Sequence, residues 1–485
     1  MSEVRKSIVF SSLSRYSVML IGLFSTMVVA RLLTPEQLGI YAVASAIIML
    51  VSEFRILGAG AYLVREKDLD VGKVRSALGV TILISWGLGV AVIITAPFVA
   101  DYYDIDAIET LFRILSISFF IVPFVSIPSA LMSRIMRFNL LFRMRLSGAL
   151  MNLCVTLGLI YTGMGFYSLA WGQISGIALQ ALIAGVFLRP SGMQYRPSFE
   201  RIGEIASLGV FNSIASVFRK ATVVVPDLVI GKMGSTYDVG MFSRGLGFIQ
   251  FVSQSLMMGV SPVALPYLSG ARREGGDVRF AYQRASVLLG GMVWPVLVVG
   301  SVASLPAIRL FFGDQWDASA PLASWLAIWA ALRSVHWFSN DVLLATHHEK
   351  IMVVKDAVIF AVLFSGVIWS YPGGLENVAR VFVLVGALEV ILITYVLRQY
   401  IGLSGWRFFM AWIPNVMVAT GCGVVALWLE HVMDFETISA WKPAVALIIV
   451  MPPVWVSLLF LVRHPLFNEL MRLAGAAKDK FLKRR

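Results

Sequence analysis

Apolar residues in this chain come in long unbroken runs, separated by short polar breaks. A helix needs about 20 apolar residues to cross roughly 30 Å of hydrocarbon. Fourteen runs meet that length: 8–32, 37–62, 75–100, 109–133, 143–162, 166–188, 205–231, 236–266, 283–311, 320–345, 351–370, 377–400, 408–429 and 443–462. The pattern predicts an all-α polytopic membrane protein with about 14 transmembrane helices. The fifth and sixth helices meet at Thr162-Gly163-Met164-Gly165, too short a link to hold a domain outside the membrane. The first run carries Arg15 and no small-x-small site, so it reads as a retained span and not as a cleaved leader.

Composition agrees. Hydrophobic residues make up 58% and charged residues 14%, against about half and a quarter in soluble domains. Charge then orients the helices. With the N-terminus, the even-numbered loops and the C-terminus on the cytoplasmic side, 28 of the 40 Lys and Arg fall inside and 6 outside. That bias obeys the positive-inside rule and places both termini in the cytoplasm of a plasma-membrane protein. The basic tail from Lys478 to Arg485 fits anionic inner-leaflet lipid. Cys154 and Cys422 lie in apolar runs and supply neither a disulfide framework nor metal-ligand spacing.

An offset of 201 residues aligns the second helix with the eighth. Arg31 falls on Lys232, Leu38 on Val239, Gly39 on Gly240, Tyr41 on Phe242 and Ser52 on Ser253. Both segments start outside and run inward, so the repeat is parallel. The expectation is two six-helix lobes related by a pseudo-two-fold axis along the membrane normal, with two helices appended. The lobes span 1–190 and 204–402, joined by a Pro/Gly-rich cytoplasmic linker at 191–203 and followed by two extra helices and a basic tail at 403–485.

The remaining six cations, Arg15, Arg55, Arg219, Lys220, Arg244 and Arg333, lie inside the runs. A cation at bilayer depth costs several kcal/mol, about 3 on insertion scales, so it faces water or a partner. Six of them predict a cationic cavity that holds an anionic cargo. Arg15 shares a small, polar face with Ser12, Gly22 and Thr26; Arg333 shares one with His336 and Asn340. Snorkelling to the headgroups is the competing account of Arg15. The intramembrane acids Glu53, Asp227, Asp341 and Glu389 are candidates for ion coupling or for neutralising a neighbouring arginine. No Walker A loop and no cluster of His with carboxylates appears, so no enzyme is expected and no cofactor or metal is implied.

Three stretches carry a family resemblance. The first runs from Ala30 to Tyr41 (ARLLTPEQLGIY), followed by Glu53 to Gly58 (EFRILG). The second is Pro226 to Gly234 (PDLVIGKMG) with Gly240, Phe242 and Arg244 after it; the third is Pro266, Trp294-Pro295 and Phe312 to Trp316 (FGDQW). Together they resemble the oligosaccharide flippases (Wzx-type polysaccharide export proteins) of the multidrug/oligosaccharidyl-lipid/polysaccharide exporter superfamily, over roughly residues 1–400. The resemblance implies two lobes around a cavity that opens to each side in turn. The implied cargo is a polyprenyl-diphosphate-linked oligosaccharide, moved from the cytoplasmic to the periplasmic leaflet for exopolysaccharide, capsule or lipopolysaccharide synthesis. The implied partners are membrane lipids, a polysaccharide polymerase and chain-length machinery, with no nucleic acid. A drug/cation antiporter or peptidoglycan-precursor flippase of the same superfamily, or a membrane-embedded polymerase, are the alternatives. A basic lumen disfavours cationic drugs, and short outer loops disfavour a polymerase.

Overall fold

The computed structural model describes residues 3–56, 59–66, 68–187, 195–200, 203, 210–258 and 261–482. The described residues are helical and contain no strand. They divide into two compact units, Met1–Ser243 and Arg244–Arg485.

The first unit holds α1 (Glu3–Leu32), α2 (Pro35–Glu53), α3 (Ala59–Arg65), α4 (Val71–Tyr103), α5 (Ala107–Ile121), α6 (Pro123–Arg134), α7 (Phe138–Tyr161), α8 (Tyr167–Leu182), α9 (Val210–Met233) and the start of α10 (Thr236–Met257). The sequence sets these boundaries by capping. Thr34 and Gln37 form a reciprocal capping box ahead of α2, with Pro35 at the first helical position. Asp70 caps α4 by accepting from the Lys73 amide at 2.6 Å.

The second unit holds the rest of α10, then α11 (Ser261–Arg273), α12 (Val278–Val302), α13 (Ser304–Phe312), α14 (Ala320–Ser334), α15 (Ser339–Ala345), α16 (Glu349–Ser370), α17 (Leu375–Ile401), α18 (Gly405–Met433), α19 (Trp441–Leu461) and α20 (Pro465–Leu482).

Where they are described, the fourteen predicted runs fall on helix, but four of them are broken. The run 37–62 stops at Glu53 and turns through a 3-10 segment, Phe54–Ile56. The run 109–133 bends by 42° where Pro123 removes an amide donor. The run 283–311 breaks at Ala303, and 320–345 breaks between Ser334 and Ser339. The run 236–266 holds α10 and the start of α11, and residues 259 and 260 between them lie outside the described residues. Among the described residues, nine helices are long and apolar enough to cross a membrane, and a tenth is added if α5 and α6 form one broken span. The breaks shorten some of the others below a span, and Arg219, Lys220, Asp227 and Lys232 lower the hydropathy of α9. The chain is a multi-pass membrane protein; the count of fourteen stands as an expectation.

The repeat has a structural counterpart inside Met1–Ser243. A Cβ placed on Gly39 would lie 1.8 Å from the Thr236 carbonyl oxygen, and one on Gly240 would lie 2.1 Å from the Pro35 carbonyl oxygen. Gly39 and Gly240 are repeat mates, and so are Pro35 and Thr236. The contact is therefore reciprocal, as a two-fold relation demands. Only a residue without a side chain allows that approach. The described part of the linker is also pinned. Ser198 donates its amide to the Arg75 carbonyl at 3.1 Å, and a Cβ on Gly79 would meet Ser198 O at 2.1 Å. Residues 191–194, 201 and 202 of that linker lie outside the described residues.

In the second unit, His464 staples α20 to the bundle. Leu466 donates its amide to Nδ1 at 3.0 Å, so the opposite nitrogen, Nε2, carries the proton and donates to Asn415 Oδ1 at 2.6 Å. The ring is fully buried, and burial pushes its pKa down from 6.5 to about 4. The undocked segment takes up a proton near pH 6.5 and the docked one only near 4. Docking is thus at full strength above that upper value and weakens as pH falls towards the lower one. Limited proteolysis of the detergent-solubilised protein should cut at α20 faster at pH 5 than at pH 7.5. His464→Asn should flatten that pH dependence; an unchanged slope would show that another group sets it.

Candidate functional site

The first unit contains a polar cavity of about 290 Å³. Its walls come from α2 (Ser45, Ser52), the turn after it (Arg55), α5 (Ser118), α8 (Gln173) and α9 (Asp227), with apolar residues between them. The break at Phe54–Ile56 sets Arg55 in a turn, not inside a continuous helix as the hydropathy predicts. Its guanidinium rests 5.5 Å from the centre of the Phe119 ring, and Glu53 attracts it. Asp227 Oδ1 is buried without a hydrogen-bond partner among the described residues, while Ser243 supplies the hydroxyl nearest in role to a partner for this carboxylate. Spacing in the sequence does not reveal that Arg55 and Asp227 share one cavity, since 172 positions separate them.

The other predicted cations of this unit lie elsewhere. Arg15 is exposed on α1, and the side chain of its expected neighbour Ser12 lies outside the described residues. Arg219 donates to Ser216 Oγ at 2.7 Å, and Lys220 is exposed. Gly58, the last residue of the first motif, also falls outside the described residues.

In the second unit, two of the motif stretches meet. Arg244 sits between Phe312 and Trp316, 4.8 Å from each ring centre. Trp316 is fully buried, and Gly313 turns the chain with φ +99°. Arg309 clamps Asp317 with a two-pronged ion pair, 3.0 and 2.8 Å. Trp294 of the third motif donates to the Ala331 carbonyl at 2.8 Å, which ties α12 to α14.

Arg333 lies in the last turn of α14, not mid-helix. It reaches Glu389 at 3.8 Å and lies 5.2 Å from the Trp329 ring centre. His336 does not share its face. The turn after Ser334 rotates His336 into the core, where it bonds Tyr282 at 2.7 Å and Thr394 at 2.8 Å. Asn340 Oδ1 is buried without a partner among the described residues. Asp341 is half-buried on α15.

One buried pair was not expected at all. Lys355 and Asp356, adjacent on α16, are bonded at 2.5 Å with side chains 3% and 5% exposed. The 28 inside cations include Lys355 although it lies in the run 351–370, and the structure buries it within α16. With Arg333 and Glu389 it forms a charged layer across α14, α16 and α17. The one clue in the sequence was the opposite-charge neighbour.

Residues 28–321 match the model of a family described as polysaccharide biosynthesis protein. Over 435 residues the chain is 23% identical to the lipopolysaccharide biosynthesis protein WzxC of Escherichia coli (strain K12), covering 86% of this chain and 87% of that protein. It is 21% identical to the teichuronic acid biosynthesis protein TuaB of Bacillus subtilis (strain 168), covering 76% and 77%. Among solved structures, the fold resembles the lipid II flippase MurJ in an inward closed conformation, with a TM-score of 0.75 at 14% identity over 96% of this chain and all of that one. It also resembles an inward-facing multidrug resistance MATE family transporter of the MOP superfamily, with a TM-score of 0.67 at 16% identity over 81% and 98%. At these identities the two structures are likenesses of fold.

Proposed function

Since the chain belongs to the polysaccharide biosynthesis protein family, we propose that it is a flippase for a polyprenyl-diphosphate-linked oligosaccharide repeat unit. It turns the head group from the cytoplasmic to the periplasmic leaflet of a bacterial inner membrane, both of its termini being cytoplasmic. The match over residues 28–321 carries this reading. The likeness to WzxC and TuaB along most of their length supports it, as does the MurJ-like fold, which suits alternating access.

The chemistry is consistent. A diphosphate-linked glycan is anionic, and carrying it through hydrocarbon unaided is prohibitive. Arg15, Arg55, Arg219, Lys220, Arg244 and Arg333 supply positive charge at membrane depth, and arginine offers a donor fork suited to phosphate. Asp227, Glu53, Asp341 and Glu389 balance that charge or couple transport to an ion gradient. A polymerase and chain-length machinery take the product on the periplasmic side.

Deleting the gene should stop polysaccharide export and leave lipid-linked repeat units on the cytoplasmic face; the cloned gene should restore export. Repeat units found on the periplasmic face instead would point to a polymerase. Alkaline phosphatase fused after Asp104 should be active, and fused after Arg485 inactive. The reverse pattern would overturn the orientation.

A further inference from the structure

The cavity that holds Arg55 has a wall suited to more than charge. Each of its serines already spends its proton on its own helix. Ser45 Oγ donates to the Ala42 carbonyl at 3.1 Å, Ser52 Oγ to Met49 at 2.8 Å and Ser118 Oγ to Leu115 at 2.7 Å. Their oxygens remain as acceptors. Gln173 Oε1 receives the Tyr41 hydroxyl at 3.2 Å, which turns the amide's two N–H donors elsewhere. Asp227 adds a carboxylate with one buried oxygen lacking a partner among the described residues, and Arg55 adds a donor fork.

The wall thus offers two donor groups and four acceptor groups. A phosphate brings only acceptors. It would meet Arg55 and Gln173 but would leave Asp227 and three serine lone-pair sites without donors, which is unfavourable for buried groups. A metal or ammonium ion would face Arg55. A polyol satisfies both sets, because each hydroxyl donates and accepts. The volume, about 290 Å³, is at the small end of ligand pockets and suits one ring in place of a chain.

We infer that this cavity is a subsite for one neutral, polyhydroxylated sugar ring, with Asp227 and the serines accepting from its hydroxyls and Arg55 and Gln173 donating to its oxygens. The inference rests on the glycan-flippase reading. It assigns the first unit to reading the sugar, and leaves the diphosphate to the cations outside this cavity.

The full-length protein in detergent would be probed by saturation-transfer NMR with methyl glucoside, methyl galactoside and methyl mannoside, and with inorganic pyrophosphate as competitor. At least one glycoside should receive saturation from the wild-type protein. Asp227→Asn keeps the shape but swaps an acceptor for donors, and should weaken that binding at least tenfold. Ser118→Ala, a smaller change in case Asp227→Asn folds poorly, should weaken it two- to fivefold. Pyrophosphate should not displace the glycoside. No transfer to any of the three glycosides, or displacement by pyrophosphate that Arg55→Gln abolishes, would overturn the subsite. The gene deletion separates the two ideas. Lost export with no glycoside binding sinks the subsite alone, and normal export with glycoside binding sinks the flippase reading alone.

Discussion

Gly39→Ala abolishes polysaccharide export and destabilises the protein by about 3 kcal/mol, at the upper end of what overpacking costs. The added methyl would lie 1.8 Å from a backbone carbonyl oxygen. A backbone atom cannot swing aside as a side-chain tip can, so the starts of α2 and α10 must move apart. Gly240→Ala acts in the same way through the Pro35 carbonyl at 2.1 Å. The double variant should cost clearly less than the sum of the two, since one displacement relieves both clashes. Thermal melting of the detergent-solubilised protein and complementation of a deletion strain measure the two effects. A Gly39→Ala protein with wild-type melting and export would show that the two helix starts are loosely held.

Lys355→Met lowers stability by about 3–5 kcal/mol, the usual result of removing one member of a buried ion pair. Asp356 would keep its place inside α16 with a side chain 5% exposed. Asp356→Leu alone should be comparably harmful, because the ammonium is then the stranded group. Replacing both residues together should recover most of the loss, since two apolar side chains need no solvation. The same melting assay decides it. If Lys355→Met melts within a degree or two of wild type, the ammonium is not the principal counterion of Asp356.

Hydropathy located the apolar helices because membrane helices are written as uninterrupted apolar runs, and it missed α20, which reads in the sequence as a basic tail. It misjudged where they stop. The break after Glu53 and the turn at Val335–Phe338 are set by tertiary demands, which leave little trace in local pattern. His336 shows why. Read as a helical neighbour of Arg333, it belongs to a polar seam; in the fold its hydrogen bonds go to Tyr282 and Thr394, 54 and 58 positions away. Arg244 was legible as an intramembrane cation, but not the two aromatic rings that hold it. Both rings lie in the third motif, so the signal was present and only the pairing was hidden. Arg55 and Asp227 were each singled out, yet no spacing rule joins a residue in the turn after α2 to one on α9. Lys355 escaped notice because charge counting treats a lysine near the start of a run as loop.

The reciprocal glycine contact has a bearing on ancestry. Two identical half-length chains, paired about an axis, would make the Gly39–Thr236 and Pro35–Gly240 contacts as one contact made twice. Fusion of a duplicated gene keeps that geometry and removes the requirement of identity. Position 35 is proline and its counterpart 236 threonine, while positions 39 and 240 are both glycine. A homodimer must carry every substitution on both sides of such an axis. A single chain can alter one side alone, and so is free to specialise its halves while the seam between the starts of α2 and α10 stays closed to any side chain.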